Sequence, residues 1–141
     1  MTRGSRHKAR VAAVQALYQW DLTRQAPEDI ESHFIYGHDM AGADKDYFHH
    51  LVREVPRHLH ELEDHFHPHL GREPDSIDPV ERAILRMATY ELAFQRDVPY
   101  RVVINEAVEL AKTFAAEHSF RFVNAVLDKV AGELRAQERG A

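Results

Sequence analysis

The first twenty residues carry four cationic side chains and no acid, although the chain has a formal charge of -5 at pH 7. The cations are Arg3, Arg6, Lys8 and Arg10, and removing their +4 leaves -9 for everything from Asp21 onward. A basic block on an acidic body suits a polyanion, because charges that served solubility alone would be mixed in sign. The candidate ligands are RNA, DNA and an anionic membrane. We call residues 3–10 the basic segment.

The basic segment has helical spacing. Arg3, Arg6, His7 and Arg10 stand at i, i+3, i+4 and i+7 and therefore share one helical face. That face continues through Val14, Leu17 and Tyr18. We expect the later turns to dock on a core while the first turns overhang its edge. The alternative is a frayed, solvated terminus, but cations in a first turn oppose the helix dipole by roughly 0.3–1 kcal/mol each, so helix stability does not explain them.

A second candidate binding site lies near residue 120. Arg121 is predicted to project from the apolar arc of the last helix, with Phe120 and Phe122 at its margins. Helix N-termini attract phosphate, and an aromatic side chain at such a margin can stack on an unpaired base. Packing into the core is the alternative for Phe122.

The sequence favours neither catalysis nor a bound metal or other cofactor. His65, His67 and His69 invite a metal hypothesis, but Pro68 interrupts their helical register and solvated histidines are favoured. Glu91 falls within an apolar helical arc, where pairing with an arginine or backbone donors is favoured over an active-site role. A phosphate-binding glycine loop and a serine triad are both missing from the sequence.

Composition restricts the class of protein further. A chain of 141 residues fits a single domain, 1–141. The absence of cysteine fits a reducing cytoplasm, and no apolar run approaches the roughly 20 residues of a membrane span. The basic segment also lacks a long hydrophobic face beside its charges, which makes a membrane the weaker polyanion. We expect a cytoplasmic protein.

Apolar spacing is helical nearly throughout, so the sequence predicts an all-α fold of seven helices. The first helix is predicted over about Ser5 to Thr23, and the second begins near Pro27. The third is marked by the apolar spacing of Tyr47, Phe48, Leu51, Val52 and Val55, and the fourth by that of Leu59, Leu62, Phe66 and Leu70. The fifth begins at Pro79, the sixth after Pro99, and the seventh after Ser119. Asp78, Pro79 and Glu81 form a capping-box start for the fifth helix, whose apolar residues surround more than half of it and mark it as central. Ser119 is predicted to cap the seventh helix, and residues 135–141 to fray. A break at 71–77 is predicted to separate two small helical subdomains.

Four ordered blocks of sequence resemble the NusB family of transcription antitermination factors. They are RHKAR at 6–10 with AVQALY at 13–18, ERAILR at 81–86 with YEL at 90–92, VPY at 98–100 with INEAVELAK at 104–112, and FVN at 122–124 with VLDK at 126–129. The resemblance spans nearly the whole chain and is most specific from Asp78 to Val130.

The resemblance implies a non-catalytic factor that binds the boxA element of ribosomal RNA leader transcripts together with the ribosomal protein NusE, in the transcription elongation complex. By position, RNA contacts carry over to Arg6, His7, Lys8 and Arg10 and to the region of Arg121 and Phe122. The NusE-facing surface would include Glu81 and Tyr18. The sequence is also compatible with a homodimer.

This sequence departs from the family pattern at four positions. His7 replaces a frequent arginine, His118 and Phe120 replace an acid and a polar residue, and Ala125 replaces glycine. His7 loses charge near neutral pH, whereas His118 in place of an acid favours RNA.

Two other functions stay open. NusB-like domains also occur fused to RNA cytosine methyltransferases, but that arrangement needs a Rossmann-like domain with a cofactor-binding glycine loop, which this sequence does not contain. A non-catalytic helical dimerisation scaffold would make the basic segment incidental.

Overall fold

Residues 6–10 of the basic segment form the start of the first helix. A computed structural model describes residues 4–140 of the chain; Arg3 lies outside them. Within that range the helices are α1 (Arg6–Thr23), α2 (Pro27–Gly37), α3 (Lys45–Arg57), α4 (Leu59–Phe66), α5 (Pro79–Phe94), α6 (Tyr100–Phe114) and α7 (Ser119–Leu134). Two short 3-10 turns, His67–His69 and Pro74–Ser76, follow α4. The predicted all-α fold of seven helices is confirmed.

The chain divides into two units, of which the first ends at Arg57 and the second begins at His58. In the first unit, α1 packs against α2 and α3, and α2 packs against α3. Helix α3 continues one residue past Pro56 before it ends. The segment 71–77, expected to separate subdomains, lies inside the second unit.

Helix α5 is the centre of the second unit, where it contacts α4, α6 and α7. Eleven of its sixteen residues are buried, which agrees with the wide apolar arc in its sequence. The predicted capping box is present at its start, because Asp78 accepts a hydrogen bond from Val80 N–H at 2.7 Å and Glu81 reaches back to the Asp78 N–H.

Helix α7 ends at Leu134, but the predicted fraying of residues 135–141 is wrong at Arg135. Arg135 is 2% exposed and donates hydrogen bonds to the backbone carbonyls of Glu91, Leu92, Gln95 and Val98. These carbonyls lie at the end of α5 and in the turn after it, and those of Glu91 and Gln95 also accept the backbone N–H groups of Gln95 and Val98. One guanidinium from a distant part of the sequence therefore ties the end of α5 to the turn that follows it.

Candidate nucleic-acid interface

The basic segment is fastened at its base to the loop between α2 and α3. Ser5 caps α1 by accepting a hydrogen bond from the Lys8 N–H at 3.1 Å. The Ser5 N–H donates to the Gly42 carbonyl at 2.7 Å, and the Asp44 N–H donates to the Ser5 carbonyl at 3.0 Å. Two backbone hydrogen bonds thus fix the direction in which α1 begins, so its first turn is not a frayed end.

Arg6 and Arg10 flank one aromatic ring rather than projecting freely. The guanidinium carbon of Arg6 lies 4.1 Å from the centroid of Tyr47, and that of Arg10 lies 5.4 Å from it. Both distances are within the range of a cation–π interaction. Arg10 is only 3% exposed and Arg6 is half-buried. The expectation that this cationic face overhangs the core is therefore wrong for Arg10, because Tyr47 of α3 packs against that part of the face.

The open cationic surface of the first turn consists of His7 and Lys8, with part of Arg6. Tyr47, which orients both arginines, was missed by sequence analysis. Its spacing with Phe48 and Leu51 indicated a core position, and Tyr47 is indeed 5% exposed. No local signal shows that this core ring faces the basic segment.

The start of α7 is linked to the start of α5 through Ser119. The prediction that Ser119 caps α7 is wrong: the N-cap position is His118, at φ 71°, and it makes no side-chain capping bond. The Ser119 hydroxyl instead donates to Glu81 Oε2 at 2.7 Å. Ser119 is the first residue of α7, and its hydrogen bond to a carboxylate is of the charge-assisted, stronger kind.

Glu81 also holds Arg72 beside Phe122. Its Oε1 lies 3.1 Å from an Arg72 guanidinium nitrogen, and the Arg72 guanidinium carbon lies 4.1 Å from the Phe122 centroid. Arg72 was not identified from the sequence, because it lies in the 71–77 break, far along the chain from Phe122.

A second ring, Phe120, lies two residues before Phe122 on α7 and carries two further cations. Lys112 Nζ lies 5.0 Å and the Arg121 guanidinium carbon 5.7 Å from the centroid of Phe120. Both Phe120 and Phe122 are partly exposed, and Arg121 and Lys112 are exposed. We call Arg72, Lys112, Phe120, Arg121 and Phe122 the α7-start cluster. Partly exposed rings lined with cations can stack bases and hold phosphates.

The two residues expected to face a protein partner differ in accessibility. Tyr18 is 38% exposed, and Leu22, one helical turn later on α1, is 54% exposed. Glu81 is only 6% exposed, and both of its carboxylate oxygens are engaged. The structure therefore gives Glu81 a structural task within the second unit.

The other singled-out residues have local roles. His69 Nε2 lies 2.8 Å from Glu133 Oε1, and His67 Nε2 lies 3.4 Å from Glu63 Oε2. Across residues 4–140, no three histidine, aspartate or glutamate side chains are grouped as metal ligands. Glu91 is buried at 1% exposure, and Ala125 is exposed on α7. None of the helices in the described range is long and apolar enough to cross a membrane.

Over residues 4–140 the chain is helical, with a cationic helix start and a cation-lined aromatic cluster, and such surfaces are typical of helical proteins that bind polyanions. The model of the NusB family matches residues 7–132. A transcription antitermination protein NusB from Pseudoalteromonas atlantica is 50% identical over 138 residues, covering 98% of this chain and 99% of the relative. This chain belongs to the NusB family of transcription antitermination proteins, which is not a family of enzymes.

Solved structures agree with this assignment. The structure of T. maritima NusB aligns with a TM-score of 0.83 and 30% identity, covering 97% of this chain and 98% of that one. A crystal structure of the antitermination factors NusB and NusE in complex with dsRNA aligns with a TM-score of 0.77 and 31% identity, covering 91% of this chain and 96% of that one.

Proposed function

We propose that this chain is an antitermination factor that binds boxA-type single-stranded RNA of ribosomal RNA leader transcripts together with NusE, within the transcription elongation complex. The observation that carries the proposal is the α7-start cluster, where two partly exposed rings are lined by three cations. The structure of NusB and NusE in complex with dsRNA, which is similar to this chain, supports NusE and RNA as partners.

The two cationic surfaces have different tasks in this proposal. Arg3, Arg6, His7 and Lys8 contact phosphates, which gives affinity without sequence preference. Arg10 is buried, so it supports the surface by holding Tyr47 beside Arg6. Phe122 and Phe120 stack on unpaired bases, and Arg121 contacts a phosphate, which supplies most of the selectivity.

The proposed NusE contact is Tyr18 with its exposed neighbour Leu22. An exposed tyrosine beside an exposed leucine offers apolar area with a polar tip, which is typical of protein interfaces. Glu81 contributes indirectly by fixing Arg72. We expect Tyr18→Ala to weaken NusE binding while RNA binding by the chain alone is retained.

A salt titration tests the role of the basic segment. If about four phosphates are neutralised, the single-strand slope of roughly -0.7 per contact implies about a 50-fold loss of affinity between 50 and 200 mM salt. Lys8→Ala is expected to weaken binding to boxA-like and scrambled RNA equally and to reduce the slope by about 0.7. Arg24→Ala is the matched control, because Arg24 is an exposed cation at the other end of α1. An unchanged slope in Lys8→Ala would favour the scaffold alternative.

A selectivity measurement tests the α7-start cluster. Phe122→Ala is expected to reduce the preference for boxA-like over scrambled RNA, with about 1–3 kcal/mol lost per unstacked base. Each RNA is measured with and without NusE, and the melting temperature of the variant is recorded alongside. A destabilised variant with an intact RNA preference would return Phe122 to a packing role.

A further inference from the structure

Beyond the α7-start cluster, helices α6 and α7 line an open polar groove in the second unit. Its volume is about 320 Å³, and it is lined by Tyr100, Arg101, Ile104, Asn105, Asn124 and Asp128. We call it the α6–α7 groove. Pockets of about 300 Å³ and more hold small ligands, so this groove has room for one nucleobase.

Helical spacing explains why these side chains converge. Tyr100 and Ile104 lie four residues apart on α6, as do Arg101 and Asn105, while Asn124 and Asp128 lie four apart on α7. Residues at this spacing are neighbours on a helix surface. Because α6 packs along α7, the four α6 side chains form one side of the groove and the two α7 side chains form the other.

Tyr100 supplies the aromatic ring of the groove, and its backbone is anchored to Glu138. Its backbone N–H donates to Glu138 Oε2 at 2.8 Å. The guanidinium carbons of Arg101 and Arg139 lie 5.5 and 5.7 Å from its ring centroid. A partly exposed ring flanked by two cations can stack on a base and attract the phosphate attached to it.

The groove is also lined by polar groups that can recognise base edges. The amides of Asn105 and Asn124 are exposed and offer both donors and acceptors. Asp128 is 57% exposed and contacts Arg139 at 3.5 Å through one oxygen, Oδ1. Asparagine pairs well with the edge of adenine, and a carboxylate accepts from the amino group of cytosine. The chemistry favours a base with an exocyclic amino group.

The groove is continuous with the α7-start cluster along one helical face. Arg121, Asn124 and Asp128 stand at i, i+3 and i+7 on α7, and Arg121 lies about 10 Å from Asp128 at 1.5 Å per residue. A strand bound at Arg121 can therefore extend into the groove.

We propose that the α6–α7 groove is a nucleobase subsite that takes an adenine or cytosine flanking the RNA segment bound at the α7-start cluster. The continuity with that cluster rests on the proposed function, whereas base recognition inside the groove does not. Ring, amides and carboxylate bind the base, and Arg101 binds its phosphate.

The first test compares a boxA-like RNA with the same RNA extended by three adenines, cytosines or uracils on its 5′ or 3′ side. Wild type is expected to bind an adenine or cytosine extension about tenfold more tightly than the unextended RNA, and a uracil extension no more tightly. The Asn105→Ala/Asn124→Ala variant is expected to lose that gain and to bind the unextended RNA as wild type does. Val102→Ala, exposed on α6 outside the groove, is the matched control and keeps the gain.

The second test records the side-chain amide NMR signals of Asn105 and Asn124 during titration with AMP, CMP or UMP. Shifts with AMP or CMP support the subsite, whether or not the unextended RNA binds. Failure of the unextended RNA to bind would contradict the proposed function alone. Binding of the unextended RNA without any extension gain, or absence of amide shifts, overturns the subsite and leaves the proposed function intact. The Asn105→Ala/Asn124→Ala variant could also weaken NusE binding while still binding the extended RNA more tightly than the unextended RNA. That result would make the groove a protein contact and would overturn the proposal.

Discussion

At the scale of single residues, one carboxylate organises the start of α7. Glu81 completes the capping box of α5, accepts the Ser119 hydroxyl and pairs with Arg72. Removing a buried acceptor leaves its donors without a partner, which costs more than the hydrogen bonds themselves contributed. The position of Arg72 over Phe122 therefore depends on Glu81.

We expect Glu81→Ala to lower the free energy of unfolding by about 1–3 kcal/mol. Urea denaturation measures this change. Glu109→Ala is the matched control, because Glu109 is 62% exposed on α6, and it is expected to change stability by less than about 0.5 kcal/mol. Equal free energies of unfolding for the two variants would contradict the conclusion that Glu81 stabilises the second unit.

Glu138 provides a pH-dependent contact. Two hydrogen bonds lower the pKa of this carboxyl below its ordinary value of 4.5. The bond from the Tyr100 N–H has the larger effect, and the bond from the Arg135 side chain has the next largest. A carboxyl whose folded pKa is lowered stabilises the fold above its unfolded pKa, and that contribution disappears as the pH falls through the folded pKa.

Glu138→Gln is thus expected to melt below wild type at pH 7 and to approach it as the pH falls below about 4.5. Thermal melts of both proteins from pH 7 to pH 3 measure the difference. Glu117→Gln is a suitable control, since Glu117 is 89% exposed, and its difference from wild type is expected to change little with pH. A constant gap between Glu138→Gln and wild type would contradict the assignment.

At the scale of elements, glycine permits the joint between α1 and the α2–α3 loop. Gly4 has φ 91°, and a Cβ at this position would lie 2.6 Å from the Ala43 carbonyl oxygen. Gly71 has φ 70°, but a Cβ there would meet nothing within 4 Å. The two glycines share a left-handed backbone and differ in crowding.

Gly4→Ala is expected to break the backbone hydrogen bonds around Ser5, because the clashing atom is a backbone oxygen that cannot turn away. Faster hydrogen exchange at the Ser5 and Asp44 amides is the measurement, and weaker RNA binding is the expected consequence. Gly71→Ala isolates the left-handed strain, roughly 1–2 kcal/mol, and is expected to leave both amides protected. Unchanged exchange in Gly4→Ala would show that the joint does not hold the basic segment.

At the scale of the whole molecule, the fold is built from helices. Among residues 4–140, the histidines are not grouped with other side chains into a metal site. A metal that bound only the folded state would stabilise it by about 2.7 kcal/mol at a concentration 100 times its dissociation constant. The eleven histidines make this worth measuring.

We expect EDTA and added Zn²⁺ to leave the melting temperature unchanged, and the circular dichroism spectrum to remain that of a helical protein. Ca²⁺ in place of Zn²⁺ controls for an effect of ionic strength. A rise with Zn²⁺ that is abolished by His65→Ala/His69→Ala would restore the metal hypothesis.

The sequence by itself determined the helices and the residue types of the candidate site. Apolar spacing predicted the seven helices, because periodicity is a local property, and the capping box of α5 lies within four residues. The basic segment and the pair Arg121 and Phe122 were identified for the same reason: each is contiguous in the chain.

Only the tertiary structure decided which side chains meet and which stay open. Arg10 is buried because α3 covers it, Glu81 is buried because Ser119 and Arg72 approach it, and Arg135 is ordered because the end of α5 offers it carbonyls. These contacts join residues far apart in the chain, and helical periodicity carries no information about such distances. The cations of the basic segment could therefore be found from the sequence, while their division into exposed and buried required the packing of one helix on another.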